Sequence, residues 1–579
     1  MPAEPLSLPD WLARLLDHPR LHWIAALSAV VLSLPALAGG LAADDWFHRA
    51  QTDPTFTRVP HTRSPILDMF AFFSPDAAVR HEQTVAGVLP WWTQSDVRGA
   101  FFRPLAALTH LFDWRIVGDH PVWHHAQSLG WLAASVLAVG ALMRTWLGGR
   151  VGALATLLFA VDDAHAWPAA WIANRNALMA MTFGALAARS YLLGARGNRR
   201  ARWLSPLFIA LTLCSAEAGS AAILMIGVLE SGLEGSVRGR LARLAPLAMV
   251  VMAWAVTWRT LGYGIHGSGL YVDPVGAPLR FLAGVPERVG ALSAALWLNV
   301  PVDFWVLLPS RMALPLGLAL GAWAAGFVAF VAAEVVRSPR GREGLAIAVL
   351  CLIPACAAFP MERVCTFAGM GAAALLALAT VECSRWRDRA TLALHLPLSA
   401  LMLTAKTIGM PALLGQLGAV ADAIPSSREV AAQDVVMVSG LEITTAYIPV
   451  DRTYRGLSVP RHMLLLAPAS TAVRTTRVDD TTLRLDLPNG SFHHAIERLC
   501  RDSPFSVGER VQTGVATVEV LTIDGHGHPT AIQATFDRSL DSPDLVWLAP
   551  EARALTLVPW APPAMGEARD VPALLELPE

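Results

Sequence analysis

Asp44 and Asp45 stand side by side at the end of the first long apolar run, Leu21 to Leu41. Adjacent carboxylates repel each other and bring no apolar surface to bury. Something has to compensate: a cation, a proton in motion or a polar substrate. Other charged side chains recur where later apolar runs begin or end: Asp162, Asp163 and His165, then Arg175, Glu217, and Glu362 with Arg363. A carboxylate near a hydroxyl can serve as a general base. An arginine fork can hold a phosphate through two parallel hydrogen bonds. Asp162, Asp163 and His165 are close enough in the chain to share a divalent cation, which Asp44 and Asp45 could join, although no HExxH or CxxC spacing accompanies them. The plain alternatives are solvated loop charges, arginines anchored at a membrane surface and, for Glu217, a structural ion pair.

The elements that must position these residues are membrane helices. Hydrophobic residues make up 54% of the 579 and charged residues only 16%, a composition of a polytopic membrane protein. Apolar runs near 21–41, 126–146, 150–162, 170–193, 203–216, 218–233, 243–262, 312–336, 344–360, 364–383 and 390–411 predict about eleven transmembrane helices. The net charge of −1 gives no electrostatic reason to expect a nucleic-acid partner. Lys406 is the only lysine, so the positive charge is almost all arginine.

Arginine placement sets the topology. Alternate connections carry Arg144 and Arg150; Arg196, Arg199, Arg200 and Arg202; Arg238, Arg240 and Arg243; Arg337, Arg340 and Arg342; and Arg385, Arg387 and Arg389. These read as cytoplasmic, together with the N-terminus. The remaining connections face outward, and they hold the acidic and histidine-bearing positions. Two outer loops are long, 44–125 and 262–311. The first contains short aromatic stretches, Ile66 to Phe73, Val88 to Trp92 and Phe101 to Leu105, which read as segments lying on the membrane with tryptophan at the headgroups. Leu279 to Leu298 reads as a second surface helix.

The expected boundary falls at 412. Residues 1–412 form the multi-span domain, and 413–579 an extracytoplasmic β-rich domain. There the apolar runs shorten and alternate, as in Val515 to Asp524 and Ala531 to Asp537, with turn signals at Pro488-Asn-Gly490 and Asp524-Gly-His-Gly. His526 and His528 sit in that second turn and read as solvated.

Five segments in order resemble motifs of the C-type integral-membrane glycosyltransferases (the GT-C fold), and within them the bacterial relatives of the transmembrane O-mannosyltransferases that carry tetratricopeptide repeats. Phe102-Arg-Pro-Leu105 looks like that family's Y-R-P-L, and Pro121-Val-Trp-His-His125 like its P-x-x-Y-H. Phe159 to Arg175 looks like F-A-L-H-P-V-H-T-E-A-V-A-W-I-A-G-R, Ser215-Ala-Glu217 like S-K-E, and Glu362 to Gly371 like E-R-Y-L-Y-L-P-S-I-G. The likeness covers roughly residues 20 to 400, without a tetratricopeptide tail. It departs at Asp162 and Trp167, where the family has histidine and glutamate, and at Ala216, where it has lysine.

The resemblance implies an enzyme of the bacterial inner membrane. It would move a sugar, such as a mannose-like hexose, from a polyprenyl-phosphate donor to a protein or glycan acceptor on the outer face, with inversion. It points to the pair Asp44 and Asp45 for the base, with Asp45 favoured and Asp44 tuning its neighbour or binding a cation. Arg363, Arg175, Arg103, His165, Glu217, Glu362 and His125 would serve the donor phosphate and substrate. No cofactor is implied beyond the divalent cation already considered. Two other readings stay open: a catalytically inactive relative acting as scaffold, and a transporter or ligase of lipid-linked glycans.

Overall fold

A computed structural model describes residues 10–53, 56, 64–382, 386–552 and 555–577. Arg385 lies outside the described residues. Six described helices are long and apolar enough to cross a bilayer: Pro121–Trp146, Ile172–Ala195, Val237–Thr260, Ser310–Ala332, Glu362–Val381 and Trp386–Leu413. The chain is a multi-pass membrane protein.

The other expected spans are shorter or interrupted. Leu21–Leu32 and Gly149–Ala160 have 12 residues each, about 18 Å of helix against a hydrocarbon layer of about 30 Å. Arg199–Ser215 has 17 residues, covers the expected run 203–216 almost to its end and stops at Ala216, whose backbone is extended, before a turn at Glu217–Ser220. The run 21–41 is interrupted at Ser33 and the run 344–360 at Cys351, although both stay apolar on average. Irregular backbone at such depth is tolerated where protein surrounds it.

Burial separates inner helices from outer ones. Glu362–Val381 is almost wholly enclosed, whereas Val237–Thr260 and Ser310–Ala332 are mostly uncovered. Met249, Met252 and Val256 on the first, and Leu318, Trp323 and Phe330 on the second, are exposed apolar side chains. Water would penalise such faces, and lipid does not. The helix Pro278–Leu298 corrects an expectation. It packs along Ser310–Ala332 instead of lying alone on a surface, and a Cβ on Gly290 would come within 1.9 Å of the Gly317 carbonyl oxygen. Glycine permits that close crossing.

Arginine-bearing connections meet at one end of the helices. Arg150 pairs with Asp17 at 2.5 Å, Arg340 donates to the Leu147 carbonyl at 3.0 Å, and Trp146 donates to Glu343 at 2.7 Å.

At the other end lie three sheets. Strands β1 (Ala71–Phe73), β2 (Arg98–Ala100) and β3 (Gly264–His266) join the two long loops in one antiparallel sheet. Beyond Asp422 come β4 (Asp434–Gly440), β5 (His462–Pro468), β6 (Val473–Arg477), β7 (Thr482–Asp486), β8 (Arg510–Gln512), β9 (Ala516–Ile523), β10 (Pro529–Phe536), β11 (Leu545–Pro550), β12 (Leu557–Pro559) and β13 (Ala568–Val571). Six form an antiparallel sheet in the order β13-β6-β7-β10-β9-β8. The order β12-β11-β4-β5 makes a second sheet in which β11, β4 and β5 run parallel. Parallel neighbours need a crossover, and the helix Glu442–Tyr454 supplies it between β4 and β5. Every residue of β4 is buried, as a strand covered on both faces requires.

Trp91 and Trp92 of the first long loop do not sit at a membrane surface. They are buried in the core of this C-terminal region; Trp91 Nε1 donates to the Leu466 carbonyl at 3.1 Å, and Trp92 Nε1 to Glu442 at 2.8 Å. Buried indole N–H groups need such acceptors. The loop is therefore pinned to the C-terminal sheets.

Candidate functional site

The helix Asp44–Thr52 begins at Ala43, whose φ is +49°. A non-glycine residue held there costs about 1–3 kcal/mol and persists only when its surroundings enforce it. Successive helical side chains diverge by about 100°, and the two carboxylates part accordingly. Asp45 turns inward and is 1% exposed. Its Oδ2 accepts from the Ala42 amide at 3.1 Å and its Oδ1 from the Ala173 amide at 2.7 Å. Burial outweighs those two bonds and pushes its pKa up to about 8, with the neighbouring Asp44 charge adding to the rise.

Asp44 instead reaches the wall of a cavity of about 390 Å³. Its Oδ1 accepts the Tyr447 hydroxyl at 2.5 Å. Burial raises its pKa above the ordinary 3.8, while the phenol bond and the charges of Arg363 and Arg103 work against the rise.

Arg363 lines the same cavity. It donates to Asn174 Oδ1 at 3.2 Å and lies over Trp171 and Phe359, with centroid distances of 5.3 and 5.9 Å. Among the described residues no carboxylate pairs with it, so its charge is directed into the cavity. Most of the wall is aromatic or aliphatic, including Phe72, Phe101, Trp167, Tyr271 and Leu270. The crossover helix closes one side with Tyr447 and Glu442. Glu442 accepts from Trp92 Nε1 at 2.8 Å and from the Leu499 amide at 3.0 Å, and burial pushes its pKa up to about 8. An apolar chamber with a few fixed polar groups suits a ligand with a greasy part and an anionic or hydroxylated part.

Of the residues expected to share this site, Asp44 and Arg363 line the cavity and the others do not. Arg175 is fully buried. It pairs with Asp113 at 2.6 Å and donates to Ser128 Oγ at 3.1 Å, to the His124 carbonyl at 2.7 Å and to Gln127. Its fork is filled by the protein itself. Arg103 pairs with Glu217 at 2.9 Å, and the other Glu217 oxygen accepts from the Phe102 amide at 2.7 Å. That contact joins the first and fourth motifs and fixes Arg103 beneath Phe101, at a centroid distance of 4.4 Å. His125 is buried with Nε2 on the Gly40 carbonyl at 3.2 Å.

The expected cation group separates as well. His165 Nε2 bonds the Phe159 carbonyl at 2.7 Å, and burial lowers its pKa to about 4. Asp162 Oδ1 caps the Ala164 amide at 2.9 Å; burial first, then the Asp163 charge, raise its pKa to about 7. Asp163 pairs with Lys406 at 2.6 Å. Glu362 pairs with the same ammonium, and Asp303 stands 3.8 Å from it. The only lysine of the chain thus serves three buried carboxylates, and an ammonium sits where a shared metal was expected.

Sequence reasoning missed Tyr447, Tyr271, Asp303 and Lys406. Nothing local marks the tyrosines or Asp303, whereas Lys406, a lone charge inside the expected span 390–411, carried a signal that could have found it. Tyr447 belongs to a helix containing Thr444, Thr445 and Pro449, weak helix formers that hide the element.

No family model matches the chain, and no curated protein matches it. Among solved structures it is similar to the oligosaccharyltransferase of Archaeoglobus fulgidus in complex with Zn and sulfate, at 14% identity over 77% of this chain and 62% of that one, with a TM-score of 0.40. The same enzyme tethered with an acceptor peptide gives 13% identity, 78% and 64% coverage and a TM-score of 0.41. Arabinofuranosyltransferase AftD from Mycobacteria gives 14% identity, 91% and 42% coverage and a TM-score of 0.35. The chain spans less than two thirds of the length of each. Likeness at this level carries no argument about activity.

Proposed function

We propose that the chain is a membrane glycosyltransferase that moves a sugar from a polyprenyl-phosphate donor to a protein or glycan acceptor. One observation carries the reading: a carboxylate, Asp44, and an arginine, Arg363, that has no carboxylate partner among the described residues, line one largely apolar cavity at the end of the helices opposite the arginine clusters. Asp44 is the base that takes the acceptor proton, and Arg363 receives the departing phosphate. Asp45 supports the bend that aims Asp44. The aromatic wall takes the sugar ring and the first isoprene units. The cavity opens to the extracytoplasmic side of a bacterial inner membrane, with the N-terminus in the cytoplasm. The five motifs that resemble the O-mannosyltransferase relatives agree with this chemistry.

Two residues favour the inactive-scaffold reading: Trp167 in the cavity wall and Ala216 beside Glu217, where the resembled family has a glutamate and a lysine. A photoactivatable polyprenyl phosphate tests the donor site, and a transfer assay tells an active enzyme from a scaffold that still binds the donor. In detergent-solubilised protein the photoactivatable lipid should label segments around Trp171 and Phe359, with labelling weakened by Arg363→Lys, because lysine keeps the charge but loses the fork. Labelling confined to other faces, or indifferent to Arg363→Lys, contradicts the donor site.

A further inference from the structure

Away from this cavity, three potential metal-ligand groups converge in the C-terminal region. Ligand atoms of His493, Asp524 and His528 lie within 4.8 Å of one another. They come from two separate loops. Asp524 and His528 bracket the turn between β9 and β10, and His493 follows the Asn489-Gly490 turn after β7.

Asp524 and His493 are each held by a second partner. Asp524 Oδ1 accepts the His526 and His528 amides, both at 2.8 Å, and its Oδ2 has no hydrogen-bond donor among the described residues. That oxygen stands 3.6 Å from His528 Nδ1. The separation is too long for a hydrogen bond. It is close to the edge of a tetrahedron around zinc, about 3.3 Å for bonds of about 2.0–2.1 Å. His528 Nδ1 is buried with no hydrogen-bond partner among the described residues. His493 Nε2 sits 2.8 Å from the Asn489 carbonyl. A proton on Nε2 satisfies that contact and leaves the Nδ1 lone pair for a metal, the usual arrangement of a ligating imidazole. Gly490 makes room for it: a Cβ there would come within 2.5 Å of His493 Nε2.

We propose that His493, Asp524 and His528 form a mononuclear site for a borderline divalent transition ion of the zinc class, with the exposed side of His493 leaving a fourth position to water. Two imidazoles and a carboxylate suit that class better than calcium or magnesium, which take oxygen ligands. The ion would clip the β9–β10 turn to the loop that carries His493. That loop is anchored to the membrane region, because the His493 carbonyl accepts from both the amide and the hydroxyl of Ser310, at 2.9 and 2.8 Å, at the head of the helix Ser310–Ala332. The site is independent of the transferase reading.

Purified full-length protein in detergent, stripped with a chelator, should take up one equivalent of Zn2+ in competition with a chromophoric chelator. Co2+ should give the strong visible bands of a four-coordinate ion, and excess Mg2+ should not displace it. His493→Ala, a change at an exposed position that folding tolerates, should weaken Zn2+ binding at least about tenfold, as should Asp524→Asn. His526→Ala, in the same turn but outside the set, should bind like the parent. No stoichiometric uptake, uptake unchanged in His493→Ala, or equal loss in His526→Ala overturns the site.

Discussion

Asp44 and Asp45 are neighbours with opposite fates, and the backbone decides between them. Asp45 gives both oxygens to amides of the protein, while Asp44 keeps its carboxylate at the cavity with one phenol bond. That bond makes the basicity of Asp44 testable. Tyr447 donates to the charged form, so it holds the Asp44 pKa down against the rise caused by burial. Tyr447→Phe removes the donor and should raise that pKa. A base works only when deprotonated, so the acid limb of the pH–rate profile should move to higher pH, with activity regained in alkaline buffer. A profile that keeps its position while turnover falls at every pH would give Tyr447 a packing role only.

The importance of the acidic pair was legible in the sequence, because paired carboxylates beside an apolar run need an explanation. Which of the two faces the cavity was not: the sequence favoured Asp45 as base, and Asp44 is the one that lines the cavity. That depends on the positive φ of Ala43 and on Tyr447, about four hundred residues away in the chain. Arg175 shows the reverse error. Its position at the start of an apolar run suggested a phosphate ligand, but Asp113, which pairs with it, lies in a segment whose sequence carries no motif.

At the scale of elements, Lys406 on the helix Ser399–Asp422 ties the start of the helix at Glu362 to the Asp163 turn. Three buried carboxylates around one ammonium leave little tolerance for its loss. Lys406→Met should destabilise the protein by about 3–5 kcal/mol, the usual cost of stranding buried partners. Denaturant titration in detergent reads this, and adding Asp163→Asn should recover part of the loss. Unchanged stability in Lys406→Met would mean the cluster carries no structural load.

Helix existence was legible from apolar runs, and alternating strands after 434 were visible as well: β9 and β10 fall where the pattern and its turns put them. The breaks at Ala216 and at Asp162 to His165 were legible, since the expected runs part there, but those at Ser33 and Cys351 were not, because they fall inside runs that stay apolar on average. The parallel β4–β5 pair was also hidden. Its crossover helix carries Pro449 and threonines, and only tertiary packing makes it helical.

Across the whole molecule, arginine-bearing connections gather at one end and the cavity lies at the other, where the first long loop and the crossover helix of the C-terminal region close it together. The proposed topology, with the arginine-bearing connections in the cytoplasm, would put that C-terminal region outside it. A reporter active only in the cytoplasm, fused after residue 579, should therefore be silent, and one fused in the 337–342 connection should be active. The opposite pair of signals would invert the protein and remove the cavity from the outer face.

The central claim is that the cavity performs transfer with Asp44 as its base. Turnover of labelled polyprenyl-phosphate sugars by the reconstituted full-length protein tests it most directly, comparing the parent with Asp44→Asn and Asp45→Asn. Asparagine keeps the size of Asp44 and loses the base, so transfer by Asp44→Asn should fall by roughly a hundredfold or more, with donor binding retained. Asp45→Asn should lose less, in proportion to any loosening of the helix start. Transfer by Asp44→Asn equal to the parent, in protein shown to be folded, would contradict the account.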